Sequence, residues 1–267
     1  MPELPEVETI RRSLRPALLG QRIAAAGVLW GRTLAAPEAG AFCARLPGQA
    51  VVELGRRGKF LIVRLSRETL LVHLRMSGDL LVEPPGAPPA PHLRLWIEFE
   101  GGQRLAFVDP RKFGRVWLTP DPDAVLAGLG PEPLDDEFTP AQLHARLAAA
   151  RRQLKPLLLD QSFIAGLGNI YTDEALHLAR LHPLMRSHQV DESQAGRLWQ
   201  AIRSVLEEGI RRNGASIDWV YRGGDFQNYF RAYQRTGQPC PACGATIERL
   251  VVGQRGTHIC PACQVQP

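Results

Sequence analysis

The 267-residue chain has no apolar run long enough to cross a membrane. Its first residues are acidic where a secretory leader would carry a basic start and an apolar core, so no export signal is expected. The location expected by default is the cytoplasm of a bacterium. Cysteine is scarce, with five residues in all, and an unexported chain of this kind does not build a disulfide framework. No internal repeat recurs along the sequence, which argues against a solenoid or a propeller. With 45% hydrophobic and 22% charged residues the composition is that of a folded globular protein, and the length suffices for two domains.

What is present is a modest positive charge, +5 overall, which by itself fits nucleic acid, an anionic surface or neither. Its placement says more. Between Gly55 and Arg75 stand six basic residues (Arg56, Arg57, Lys59, Arg64, Arg67 and Arg75) against one acid, Glu68. A second group is Arg146, Arg151, Arg152 and Lys155. Solvated faces also look like this.

The chain opens MPELPEVETIRRSLRP, in which Leu4, Val7, Ile10, Leu14 and Leu18 recur at helical steps. Proline fits a first helical turn, and Glu3, Glu6 and Glu8 complement the positive end of the helix dipole. From residue 21 to 119 the texture is mainly of short strands: VVELGRRGKFLIVRL, TLLVHLRMSGDLLVE, LRLWIEF and RLAFVD. The proline-rich stretch from Glu83 to Pro91 must be a loop. Short strands without long helices between them suggest an antiparallel sandwich or barrel. A connector rich in proline and acids (119–140) precedes helical patterns that run to about Asn213. The last of these has Leu198, Ile202, Val205, Leu206 and Ile210 on one face. The fold class expected is α+β.

Four of the five cysteines form two knuckles, Cys240-x2-Cys243 and Cys260-x2-Cys263, sixteen residues apart. That spacing places four thiolates around one tetrahedral ion and predicts a structural zinc with no open position for catalysis. The intervening IERLVVGQRGTHI reads as a hairpin with Arg255 at its turn; His258 is expected in a strand rather than as a ligand. Cys43 is expected to be an ordinary buried thiol.

Three turns have two readings each. In IAGLGNIYTDEAL (164–176) a Gly-Leu-Gly-Asn turn separates two helical patterns, with Asn169 placed to cap the second. The exposed N–H groups of such a turn suit a phosphate, and a helical hairpin without a ligand has the same pattern. DPRKFGR (109–115) puts three basic residues and Phe113 between two strands, and HLRMSG puts Met76 in a similar turn. Such apolar side chains either close a core or wedge between bases.

Taken in order, the stretches PELPEVE, RRGKF, HLRMSG, DPRKFGR, LGPEPL, GLGNIYTDEAL and the cysteine finger with QRGTH resemble the Fpg/Nei DNA glycosylases from one end of the chain to the other. The resemblance implies an N-terminal helix and β-sandwich catalytic domain (1–122), a linker (123–139), a helix-two-turn-helix domain (140–237) and a zinc finger (238–267), with damaged double-stranded DNA bound between the domains. Members excise oxidised bases and then nick the abasic site by β,δ-elimination. On this resemblance Met1 is removed and Pro2 becomes the nucleophile, its secondary amine forming an iminium with the sugar. Glu3 is the acid/base carboxylate and Lys59 lies near the lesion phosphate. His73, Asn169, Arg255, Lys155 and Arg111 contact DNA. Met76, Arg111 and Phe113 fill the hole left by a flipped base, offsetting a few kcal/mol of lost stacking. Glu6 and Glu174 are supporting acids, and Cys240, Cys243, Cys260 and Cys263 hold one structural Zn2+.

PELPEVE, rather than the PEGPE of the Nei branch, favours oxidised purines, chiefly 8-oxoguanine and formamidopyrimidines. The segment 215–237 departs from relatives that carry a longer loop over the flipped base, and it bears on lesion preference. The competing readings are a Nei-type enzyme for oxidised pyrimidines and a non-catalytic zinc-finger DNA-binding protein. Pro2-Glu3 with Lys59 argues against the second, since binding alone needs none of them. The expected assembly is a monomer, because no large apolar face is marked.

Overall fold

The structure is a computed structural model in which residues 1–216 and 223–266 are described. It divides into two compact units, one of Met1–Ala127 and one of Gly128–Ala215 with the chain from Gly224 onward. The division falls inside the proline- and acid-rich connector, just past a one-turn helix.

The first unit opens with α1 (Leu4–Leu18), followed by β1 (Ile23–Val28), β2 (Leu34–Ala36) and a short helix α2 (Ala39–Arg45). Seven more strands follow: β3 (Val51–Arg57), β4 (Phe60–Leu65), β5 (Thr69–His73), β6 (Asp79–Glu83), β7 (Leu93–Phe99), β8 (Arg104–Val108) and β9 (Arg115–Thr119). They form two sheets, ordered β1-β7-β8-β6 and β2-β9-β5-β4-β3. Every pairing is antiparallel except β2 with β9. Alternation is clearest in β7, whose odd members Leu93, Leu95, Ile97 and Phe99 are buried. The two inner faces interdigitate around Leu61, Val63, Leu70, Val72, Leu105 and Phe107, the sandwich expected from the strand spacing.

Helix α1 contributes Val7, Ile10, Leu14 and Leu18 to that same core. It touches β3 and β4 of one sheet and β6 of the other. Polar contacts hold it down as well. The Glu8 carboxylate accepts from Arg11 at 2.9 and 2.8 Å and from Arg12 at 2.7 Å, and Arg56 of β3 approaches within 3.6 Å. Burial pushes the Glu8 pKa up, but the Arg11 and Arg12 hydrogen bonds prevail and hold it below the usual carboxylate value.

The second unit follows the short helix α3 (Asp123–Leu126) and contains α4 (Pro140–Ala150), α5 (Leu154–Leu159), α6 (Asn169–Ala179) and α7 (Glu192–Arg211). Thr139 and Gln142 cap α4 reciprocally, side chain to backbone, at 3.3 and 3.0 Å. Helix α7 buries Leu198, Ile202, Val205 and Leu206. It packs on α6 where Gly209 meets Tyr171, since a Cβ there would lie 2.5 Å from the ring. The unit ends in the hairpin β10 (Glu248–Val252) and β11 (Arg255–Ile259). Gly253 and Gln254 both have positive φ, 56° and 61°, as a two-residue type I′ turn requires. No described helix is long and apolar enough to cross a membrane.

Candidate active site and zinc centre

In the first unit the N-terminus is held rather than loose. The Glu6 carboxylate accepts the backbone N–H of Glu3 at 2.7 Å, fixing the peptide that follows Pro2. Pro2, Glu3 and Glu6 are all buried. Helix α1 packs on β3 and β4, and the turn between those strands carries Lys59, itself 5% exposed.

His73 ends β5 opposite Phe60, the residue after Lys59. Its ring meets the Phe60 ring edge-on at 4.8 Å, and its Nδ1 accepts the N–H of Arg75 at 3.0 Å. Burial, then the charges of Arg75 and Lys59, hold its pKa down at about 3. The imidazole is therefore neutral at physiological pH, with its proton on Nε2, a donor suited to a phosphate oxygen.

Two loops cross between the sheets at this same end. One links β5 to β6 and carries Met76; the other links β8 to β9 and carries Arg111 and Phe113. Asp109, fully buried, joins them. Its Oδ1 accepts the Ser77 hydroxyl and, at 3.2 Å, the N–H of Arg111, while its Oδ2 accepts the N–H of Gly114 at 2.7 Å. Phe113 is 52% exposed, with the Arg111 guanidinium 5.2 Å from its ring centre, and Met76 is half-buried. Lys112 stands with φ 61° and its ammonium 4.2 Å from the Trp30 ring centre. Apolar Phe113 thus faces outward on a braced turn and does not close the core.

In the second unit, the chain between α5 and α6 makes two turns organised by one side chain. Gln161 donates to the carbonyls of Leu159 and Leu167 at 3.0 and 2.8 Å and accepts the N–H of Gly166 at 3.0 Å. Asn169 does not cap α6 as the sequence suggests. Gly168 is the N-cap, and Asn169, the first helical residue, donates through Nδ2 to the carbonyl of Gly256 at 3.1 Å. That contact sets the start of α6 against the zinc-finger hairpin, beside exposed Arg255.

Lys155 is among the residues that the resemblance places near the lesion or its phosphates. Its side chain is fully buried and its ammonium is paired with Asp173 of α6. Glu174 is buried too, accepting the backbone N–H groups of Arg231, Ala232 and Tyr233 at 2.8, 2.9 and 2.8 Å. It anchors the later part of the segment 215–237, which is expected to bear on the flipped base. Residues 217–222 of that segment lie outside the described residues.

Cys240, Cys243, Cys260 and Cys263 bring their sulfurs within 4.8 Å of one another, with Cys243 and Cys260 at 3.4 Å. Tetrahedral zinc with bonds of about 2.3 Å needs such separations, so the four thiols fit the ion. The Cys240 sulfur accepts the N–H of Ala242 at 3.4 Å, which suits a thiolate. His258, in β11, is not among these residues.

Three family models match in sequence. These are the formamidopyrimidine-DNA glycosylase N-terminal domain over residues 1–116, the formamidopyrimidine-DNA glycosylase H2TH domain over 129–220, and the zinc finger found in FPG and IleRS over 237–265. The chain belongs to the formamidopyrimidine-DNA glycosylase family. It is 47% identical to the formamidopyrimidine-DNA glycosylase of Chloroflexus aggregans and 43% identical to that of Protochlamydia amoebophila, each alignment covering 99% of both chains. Among solved structures it is similar to Lactococcus lactis Fpg in complex with abasic-site DNA, at 36% identity and a TM-score of 0.92. It is likewise similar to MutM in complex with carbocyclic 8-oxo-G DNA, at 36% identity and a TM-score of 0.93. Both alignments cover 99% of this chain and 100% of the other.

Sequence reasoning found the tips of this family's loops and missed their braces. Asp109 and Asp173 lie inside the motifs DPRKFGR and NIYTDEAL, but Ser77 for the first and His258 for the second stand far away in sequence. Trp30 carries no local signal that it receives Lys112.

Proposed function

We propose that this protein is a bifunctional DNA glycosylase and abasic-site lyase that excises oxidised purines, 8-oxoguanine and formamidopyrimidines, from duplex DNA. The observation that carries the reading is the fixed N-terminus: Glu6 holds the N–H of Glu3 at 2.7 Å, so that Pro2 is presented from the start of a packed helix.

Removal of Met1 frees the Pro2 amine, and α-amino groups as a class have pKa values of about 8, low enough for a useful neutral fraction at physiological pH. The amine attacks C1′ of the damaged nucleotide. The C1′–base bond breaks as the new C1′–N bond forms, and the proton shed by the Pro2 nitrogen passes to the departing base. Glu3 delivers a proton to the ring oxygen as the sugar opens to the iminium. That iminium withdraws electrons from C2′, whose proton is then lost as the 3′-phosphate departs; a second elimination releases the 5′-phosphate. Lys59 and the Nε2–H of His73 steady the phosphates beside the lesion. Phe113 and Met76 occupy the vacated stack, and Arg111 bonds the orphaned partner base. Asn169 and Arg255 grip the backbone. The four cysteines hold one zinc, which serves folding and takes no part in the chemistry. Lys155, held by Asp173, has further N–H donors for a phosphate near the lesion. Chromosomal DNA as substrate places the work in the cytoplasm.

The test is excision from matched duplexes containing either 8-oxoguanine opposite cytosine or thymine glycol. Faster release of 8-oxoguanine is expected, and a clear preference for thymine glycol overturns the purine assignment.

A further inference from the structure

We propose that His177 and Asp173 are positioning residues through which α6 locks the zinc centre to the DNA-binding start of that helix, with His177 donating a hydrogen bond to the zinc-bound thiolate of Cys240. The deciding feature is a register. Asn169, Asp173, His177 and Leu181 succeed one another at four-residue steps, so the first three lie along one stripe of α6 and the fourth lies just beyond its end. Each of the four contacts the cysteine finger. Asn169 Nδ2 donates to the carbonyl of Gly256 at 3.1 Å. Asp173 Oδ2 accepts the backbone N–H of His258 at 3.0 Å and lies 3.1 Å from its Nδ1. His177 Nε2 lies 3.2 Å from the sulfur of Cys240. The carbonyl of Leu181 accepts Gln264 Nε2 at 2.9 Å, and the same Gln264 accepts the N–H of Cys260 through Oε1 at 2.9 Å.

The direction of the His177 bond follows from the chemistry of its partner. A zinc-bound thiolate has lone pairs and no proton, so it only accepts, and Nε2 must carry the hydrogen. Among the described residues His177 Nδ1 is buried without a hydrogen-bond partner, which leaves the ring no second task there. Four thiolates around Zn2+ carry a net charge of −2. Donors to the sulfurs disperse that charge, and outer-shell partners of this kind typically alter metal affinity by about 10–100-fold.

Asp173 extends the lock to α5. Its other oxygen is paired with the buried ammonium of Lys155, so one carboxylate ties α5, α6 and β11 together. Arg255 begins β11, three residues before His258. The consequence is mechanical: loss of the metal loosens Arg255 and Asn169 together, although neither is a ligand.

The test uses full-length holoenzyme without DNA, so that it stands apart from the function proposed above. Zinc release to a chromophoric chelator is followed for wild type, His177→Phe and His177→Gln, with the exposed His188→Phe as control. Phenylalanine keeps the bulk and loses the donor, and release should be about tenfold faster. Glutamine retains an N–H, and its release should fall closer to wild type. In cobalt-substituted protein the thiolate-to-metal absorption should shift in His177→Phe and not in the control. If His177→Phe fails to fold, His177→Leu, which also lacks the donor, takes its place in both measurements. Wild-type zinc release with an unshifted cobalt spectrum in a folded variant lacking the donor overturns the proposal.

Discussion

The backbone N–H of Gly114 donates to Asp109 Oδ2 at 2.7 Å, closing the turn that presents Arg111 and Phe113. The other oxygen of the same carboxylate takes the Ser77 hydroxyl from the neighbouring loop. Asp109 therefore sets Met76, Arg111 and Phe113 relative to one another, and all three depend on it. Asp109→Asn puts an amide donor against a backbone or hydroxyl donor. Losing one or two buried hydrogen bonds of this kind costs about 1–3 kcal/mol each. Single-turnover excision of 8-oxoguanine should slow by at least about tenfold, and discrimination between cytosine and adenine opposite the lesion should shrink. Wild-type discrimination in a folded Asp109→Asn protein would show that the loops are set by something else.

Lys155 and Asp173 form a buried pair with no exposed side-chain surface on either partner. Removing one charge from such a pair leaves the other uncompensated, at a cost of about 3–5 kcal/mol. Lys155→Met should lower stability by that amount in chemical denaturation. Lys155→Arg should restore little of it, because the larger planar guanidinium has no room in a site packed around an ammonium. The chain has only three lysines, Lys59, Lys112 and Lys155, amid many arginines, so arginine is its ordinary cation. Full stability in Lys155→Arg would contradict the assignment of a compact interior site.

The motifs were legible because they are local. The α1 stripe, the strand alternation of β7 and the spacing of the four cysteines each lie within a few turns of chain, and the folded elements have the expected ranges. Helix α2 escaped notice because its seven residues hold one buried side chain, Phe42, and show no period. Asn169 reads as a cap from its neighbours, yet its side chain is claimed by Gly256 from far along the chain. The braces at Asp109, Asp173 and His177 were invisible for the same reason. A carboxylate looks alike in sequence whether it faces water or three buried donors. Burial of Lys155 was hidden too, since a lysine among arginines reads as surface charge.

His73 gives the fold a pH dependence of known sign. Its pKa is about 3 in the folded chain against 6.5 when unperturbed, burial being the main cause. The unfolded chain therefore binds more protons between those values. The stabilisation is complete above about pH 6.5 and is lost as the pH falls toward 3. NMR titration of the His73 ring should show no protonation between pH 8 and pH 5. His73→Gln should lose less stability than wild type over pH 7 to 4. A His73 midpoint near 6.5 would refute the buried neutral imidazole.

Pro2, presented by α1, is the nucleophile on which both proposed steps, base release and strand cleavage, depend. Borohydride reduction during reaction with an 8-oxoguanine duplex should trap a covalent protein–DNA adduct, and peptide mapping should place it on residue 2. Pro2→Gly, with Glu3 and Glu6 intact, should still bind the lesion duplex and lose most strand cleavage. An adduct mapped to a lysine, or no adduct from folded protein lacking Met1, would contradict the account.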